Sequence, residues 1–97
     1  MKIPKEIEPK VAKIVEYLRA EGCSLIMLFG SFAEGVSHPH SDIDIAVSGI
    51  SSKNFFRAIA DLPHLVKHRV DLVDIDDLPL GYKKSIKQNG VILYGAV

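Results

Sequence analysis

Apolar and polar residues divide the chain into segments with helical spacing and short segments that are almost wholly apolar. From about Pro4 to Ala20, apolar residues recur every three or four positions, while lysines and glutamates occupy the opposite face. This spacing predicts an amphipathic helix. Gly22 is suited to end it, and Pro9 leaves its first residue open because proline fits only a first helical turn.

Four short blocks rich in apolar residues predict β-strands, over residues 24–29, 43–48, 69–75 and 91–94. The first block is mostly apolar on both sides, which is typical of a strand buried on both faces of a sheet. Between the first two strands, residues 31–41 are rich in Ser, Gly, His and Pro and predict a loop with one short helical turn.

Two further segments predict helices. One runs from Lys53 to about Leu62, with Ser51 or Ser52 as its cap. The other covers about 79–88 and ends at Asn89-Gly90. Helices thus alternate with strands, which predicts a small mixed sheet with helices packed on it.

Composition sets limits on this picture. The 97 residues fit one domain, 1–97. Because 12 basic side chains balance 12 acidic ones, we do not expect general electrostatic binding of nucleic acid. No segment approaches the roughly 18 apolar residues that span a bilayer, so no membrane association is predicted. The single cysteine, Cys23, indicates a reducing compartment and a packed thiol; we therefore expect a soluble, cytoplasmic protein.

The most informative pattern is Gly30-Ser31 followed, after ten intervening residues, by Asp42-Ile43-Asp44. Residues two apart in a strand point to the same side, about 7 Å apart, so Asp42 and Asp44 project together and repel. A divalent cation with oxygen ligands, above all Mg²⁺, relieves that repulsion. A lone Asp-x-Asp is more often a solvated strand end, but the Gly-Ser pair at this offset favours a metal site.

Gly30 and Ser31 have a physical role beside those carboxylates. A glycine lets the chain turn sharply and lets a phosphate approach, and Ser31 offers a hydroxyl and an N–H. An ordinary turn remains the alternative. A phosphate-binding P-loop is excluded because Val36 stands where that motif has lysine.

The segments Gly30–Gly35 and Ser41–Val47 resemble the signature of the DNA polymerase β-like nucleotidyltransferases. The shortness of the chain resembles their minimal, MNT-type members, and the tail Gly90–Tyr94 is similar to the end of their domain. The resemblance implies an α/β (α+β) nucleotidyltransferase core, a small mixed β-sheet with helices packed mainly on one face.

The family has a third carboxylate on a neighbouring strand, which the resemblance assigns to Asp71 rather than Asp74. Asp74 and the following acids are expected at a solvated strand end and a helix cap, and a purely structural Asp71 is the alternative. Arg69 lies on the same face of the predicted strand as Asp71, where it could bind a nucleotide phosphate. An ion pair with a carboxylate is the favoured interpretation.

The resemblance further implies transfer of a nucleoside monophosphate, AMP from ATP, to an acceptor hydroxyl. Catalytic Asp42, Asp44 and Asp71 would hold two Mg²⁺ ions, and Gly30 and Ser31 would orient the phosphates. The chain has no room for an acceptor domain, so a second copy or a second protein would bind the acceptor. Minimal members commonly act as antitoxins for HEPN-type toxins, and some modify the toxin by nucleotidylation, so the resemblance implies such a toxin as the partner.

Two alternatives to that activity remain open. The first is a non-catalytic module of the same fold that neutralises a partner by contact. The second, a small-molecule modifier of the aminoglycoside type, is disfavoured because no acceptor domain is present. Glu34 stands where many relatives carry a basic residue, so we expect it to point away from the nucleotide or to pair with a lysine.

The histidines receive no functional role from the sequence. His38 and His40 flank Pro39, which disfavours a metal pair and predicts a loop. His64 and His68 are four residues apart, but the preceding Pro63 favours a loop there as well.

Overall fold

A computed structural model describes residues 3–96. Within this range lie four helices: α1 Glu8–Ala20, α2 Gly30–Glu34, α3 Ser52–Val66 and α4 Leu80–Asn89. The four strands are β1 Leu25–Phe29, β2 Ile43–Ser48, β3 Val70–Asp74 and β4 Val91–Tyr94, and a short 3-10 helix covers Ile75–Asp77. Met1, Lys2 and Val97 lie outside the described residues, and the assignment of 1–97 to one domain stays a prediction.

The four strands form one sheet in the order β3-β2-β1-β4. β1 pairs antiparallel with both β2 and β4, while β2 and β3 run parallel. The predicted mixed sheet is therefore confirmed. The parallel pair matters most for function, because it aligns the acidic residues of β2 with those of β3.

The sheet has a core on each face. The larger core lies under α1 and α3, where Ile14, Leu18 and Leu62 pack against apolar residues of β1 and β2. On the opposite face, Ile86 of α4 and Ile75 pack against a smaller cluster. The two long helices thus share one face, as predicted, and the other face is covered only in part.

Helix α3 extends four residues beyond its predicted end. Pro63 lies inside the helix and costs a backbone hydrogen bond. The helix continues because Leu62 and Val66 are both buried against the sheet, and it ends at Lys67, whose φ of 53° is left-handed. The prediction of a loop after Pro63 is therefore wrong for residues 64–66, including His64.

Several smaller expectations are confirmed. The Ser51 hydroxyl caps α3 by accepting a bond from the Asn54 N–H at 3.2 Å. Asp74 ends β3 and accepts from the Asp76 N–H at 3.0 Å. Cys23 is buried, and this burial raises the pKa of its thiol to about 11. Within residues 3–96, no helix combines the length and the apolarity that a bilayer crossing requires.

Candidate active site

Asp44 and Asp71 lie side by side because β2 and β3 pair in parallel with Asp44 opposite Asp71. The residues flanking Asp44, Ile43 and Ile45, point into the larger core. Strand side chains alternate, so Asp44 projects to the opposite, less covered face. The sheet register therefore brings together two of the three carboxylates that the sequence selects.

The surroundings of Asp44 disfavour its charge. Its pKa is raised to about 6, first by burial, then by the charges of Asp71 and Asp42, and by a side-chain hydrogen bond with Asp71. Carboxylates in such contact repel once both are ionised. A bound cation would relieve this repulsion, and perturbed acids of this kind are typical of functional sites.

Gly30 leaves the space that the Asp44 carboxylate occupies. It begins α2 directly after β1, with a left-handed φ of 72°. A Cβ at this position would overlap the Asp44 carboxyl group. Glycine is therefore required here both by the backbone conformation and by the neighbouring side chain.

The third predicted carboxylate, Asp42, pairs with an arginine rather than with Asp44 or Asp71. Its carboxylate accepts a contact from the Arg69 Nε at 3.2 Å, so the ion pair favoured by the sequence is present. In the part of the chain that the structure describes, no three acidic, His or Cys side chains are gathered as a ready metal site. The shared metal role of Asp42, Asp44 and Asp71 stays a prediction, as does phosphate binding by Arg69.

A cavity of about 280 Å³ opens beside the acidic pair. Besides Gly30, Asp44 and Asp71 it is lined by residues of β1, α2, α4 and the turn before β4: Phe29, Glu34, Tyr82, Ser85, Ile86, Asn89 and Gly90. Among residues 3–96 Glu34 makes no ion pair, so the expected pairing with a lysine is not found. Glu34 lies at the wall of the cavity, and its orientation relative to a bound nucleotide stays a prediction.

Sequence reasoning missed the α4 side of this cavity. Tyr82, Ser85 and Asn89 recur at spacings of three and four, which places them on one helical face. Asn89 donates to the Ser85 hydroxyl at 3.4 Å, and the Tyr82 ring meets Phe29 edge-on with centroids 6.4 Å apart. The spacing of these polar residues could have indicated a functional helix face. Only the tertiary structure shows that this face lines the same cavity as Asp44 and Asp71.

The donor set suits a hard divalent cation. Asp44 and Asp71 offer adjacent carboxylate oxygens beside a cavity, and Mg²⁺ takes one or two carboxylates plus substrate phosphates. Asp42 contacts Arg69 through Oδ1, and its charge acts on Asp44. The residues present therefore fit one cation at the acidic pair, with Asp42 as a third carboxylate nearby.

Comparisons with known proteins identify the family of this chain. A family model described as Polymerase beta, Nucleotidyltransferase matches residues 12–96. No curated protein matches the chain. Among solved structures, a chain of a toxin–antitoxin complex with AMP-PNP is 31% identical with a TM-score of 0.77, and the match covers 88% of this chain and 73% of that one.

Two other solved structures are similar over most of the chain. A chain from tri-AMPylated Shewanella oneidensis HEPN toxin in complex with MNT antitoxin is 26% identical, with a TM-score of 0.72, covering 92% of this chain and 72% of that one. A structure described as a minimal nucleotidyltransferase shares the fold at 21% identity and a TM-score of 0.75, covering 94% and 95%. The resemblance found in the sequence is confirmed: the chain belongs to the polymerase beta nucleotidyltransferase family.

Proposed function

We propose that this protein transfers a nucleoside monophosphate, AMP from Mg²⁺-bound ATP, to a hydroxyl group of a partner protein. The observation that carries the proposal is the juxtaposition of Asp44 and Asp71 at the wall of one cavity, in a chain of the nucleotidyltransferase family. Two ions of Mg²⁺ held by Asp42, Asp44 and Asp71 would stabilise the attacking and leaving oxygens at the α-phosphate.

The protein side chains have separable tasks in this reaction. The acceptor oxygen attacks the α-phosphorus, the bond from that phosphorus to the bridging oxygen breaks, and pyrophosphate leaves. The acceptor proton goes to a carboxylate oxygen of Asp71, which is the more exposed member of the acidic pair. Asp44 is the less exposed of the two, and its proposed task is to bind the Mg²⁺ ions.

Gly30, Ser31 and Arg69 are proposed to hold the triphosphate. Gly30 lines the cavity beside Asp44, and a glycine adds no side chain of its own between a phosphate and the backbone. Ser31 adds a hydroxyl and an N–H at the next position. Arg69 is an exposed cation directly before β3, and it can reach a phosphate once it leaves Asp42.

The acceptor is proposed to belong to a HEPN-type toxin, which would make this protein a cytoplasmic antitoxin. The support comes from the solved relatives, which are a toxin–antitoxin complex with AMP-PNP and a complex of AMPylated HEPN toxin with MNT antitoxin. A second copy of the chain is the other candidate for completing the acceptor site.

The test is co-expression with a HEPN-domain protein encoded beside this one, followed by intact-mass analysis after incubation with ATP and Mg²⁺. The expected result is a stable complex whose partner gains the mass of AMP on a hydroxyl side chain, with a tyrosine as the first site to map. A complex without any mass gain would contradict transfer. Absence of both complex and mass gain would contradict the partner as well.

One observation favours a non-catalytic module instead. Glu34 lines the cavity, and its negative charge would repel a triphosphate there. Such a module would neutralise its partner by contact alone. Asp44→Asn separates the two functions, because an enzyme loses transfer and protection together whereas a contact inhibitor keeps its protective effect.

A further inference from the structure

His68 lies between three parts of the fold. Its Nε2 is 2.7 Å from the carbonyl oxygen of Ser41, and its Nδ1 is 3.1 Å from the Lys10 ammonium. A carbonyl can only accept and an ammonium can only donate. The neutral ring therefore carries its proton on Nε2, donates to Ser41 and accepts from Lys10 of α1.

The adjacent Arg69 holds the next two residues of the same segment. Its side chain pairs with Asp42, and its carbonyl accepts from the Ile43 N–H at 3.0 Å. His68 thus contacts Ser41, and Arg69 contacts Asp42 and Ile43. We call these five residues the Asp42 clamp.

The His68 ring also contacts the segment that carries Gly30 and Ser31. It meets Phe32 of α2 edge-on, with ring centroids 6.1 Å apart, and Phe32 is fully buried. The half-buried His68 is therefore fixed on three sides. Its ring can hold the backbone before Asp42 in place while the Asp42 side chain turns.

We propose that the two halves of the clamp act on cation binding in opposite directions. His68 is a positioning residue that fixes the backbone of Asp42 and so favours binding of a divalent cation. Arg69 is a competing cation that occupies the Asp42 carboxylate and is displaced when the divalent cation binds. This inference rests on the proposed function, since it takes Asp42 to be a ligand.

The exposure of the ion pair makes such displacement feasible. The Arg69 side chain is 86% exposed and that of Asp42 is 38% exposed. Ion pairs in this setting contribute little free energy. Removing Arg69 should therefore tighten cation binding by about two- to fivefold, whereas losing the His68 contact should weaken it because Asp42 is no longer held in place.

The experiment is a calorimetric titration of Mn²⁺, without nucleotide, into wild type, Arg69→Gln, His68→Ala and His68→Gln. Lys67→Gln is the matched control, since it removes one nearby positive charge that makes no ion pair within residues 3–96. We expect tighter binding by Arg69→Gln, weaker binding by His68→Ala, partial recovery by His68→Gln and near-wild-type binding by the control.

Unchanged or weaker binding by Arg69→Gln overturns the competition, as does equal tightening by Lys67→Gln, which would indicate a general charge effect. Wild-type affinity in His68→Ala overturns the positioning role. Imidazole nitrogen shifts provide a check that needs no variant: a His68 proton on Nδ1 contradicts the clamp. A wild-type protein that binds no Mn²⁺ overturns the proposed function too, whereas binding that is equal in all variants overturns only the clamp.

Discussion

At the scale of single residues, the acidic pair is a destabilising feature that the fold retains. Asp44 has a pKa near 6 because burial and two neighbouring carboxylates oppose its ionisation. A raised carboxyl pKa means that stability is fully present below the unfolded value of 3.8 and is lost as the pH rises through about 6. At neutral pH, without a cation, the ionised pair therefore strains the folded state.

Asp44→Asn is expected to stabilise the metal-free protein at pH 7. Because Asp44 is partly exposed, solvent screening limits the gain to about 1 kcal/mol, or about 4–8 °C in melting temperature. The gain should shrink as the pH falls toward 4 and the wild-type carboxyl becomes protonated. Thermal melts over this range measure it; a variant that is less stable at pH 7 would contradict the account.

Gly30→Ala is expected to destabilise the protein by more than Gly35→Ala. Both glycines have left-handed φ values, 72° and 75°, so each alanine costs about 1 kcal/mol of backbone strain. Only at Gly30 does the new Cβ overlap Asp44, whereas nothing lies within 4 Å at Gly35. Denaturant unfolding should show a further loss of about 1–3 kcal/mol for Gly30→Ala, and equal losses would exclude the overlap.

Glu34→Gln is expected to tighten Mg²⁺-ATP binding, because it removes a negative charge from the cavity wall while keeping the side-chain shape. A gain of about two- to fivefold in affinity corresponds to a partly screened charge. Competition with a fluorescent ATP analogue provides the measurement, with Glu16→Gln on α1 as the control. Weaker binding by Glu34→Gln would indicate that Glu34 itself contributes to the nucleotide site.

The sequence predicts the proximity of Asp44 and Asp71, which the parallel register confirms. The alternation of residues in β2 selects Asp44, and the family resemblance selects Asp71; the shared metal role of these two residues and Asp42 stays a prediction. His68 could not be selected in this way. Its partners Lys10 and Ser41 are 58 and 27 residues away in the chain, so only the tertiary structure brings them together.

At the scale of elements, the strands are the most predictable part of this fold. β2 and β4 have the predicted bounds, and each is followed directly by a glycine with a left-handed φ, Gly49 or Gly95. The end of α3 was not predictable from Pro63, since local propensity argues for a break there. Burial of Leu62 and Val66 against the sheet outweighs the lost hydrogen bond.

The cap of α3 supplies the test at this scale. Ser51→Ala should reduce the free energy of unfolding by about 1 kcal/mol, because the Asn54 N–H loses its acceptor. Ser52→Ala is the control, since Ser52 is the first helical residue and does not cap the helix. Urea denaturation distinguishes them, and an equal effect of both substitutions would contradict the assignment of the cap.

At the scale of the whole molecule, the site depends on the order of strands rather than on any one of them. β1 ends directly before Gly30, which it thereby places beside Asp44. The parallel register of β2 and β3 aligns Asp44 with Asp71. α4 closes the cavity from a distant part of the chain. The sequence predicts a mixed sheet. It does not predict that the polar face of α4 lines the cavity, because that depends on how α4 packs against the sheet.

The most direct measurement is a calorimetric titration of Mg²⁺-ATP into wild type, Asp44→Asn and Asp71→Asn. Asp74→Asn is the control, because it removes a charge from the same strand while asparagine can still accept from the Asp76 N–H. The account predicts binding by wild type and by the control, and loss of at least tenfold in affinity for the other two. Equal heats from all four proteins would contradict it.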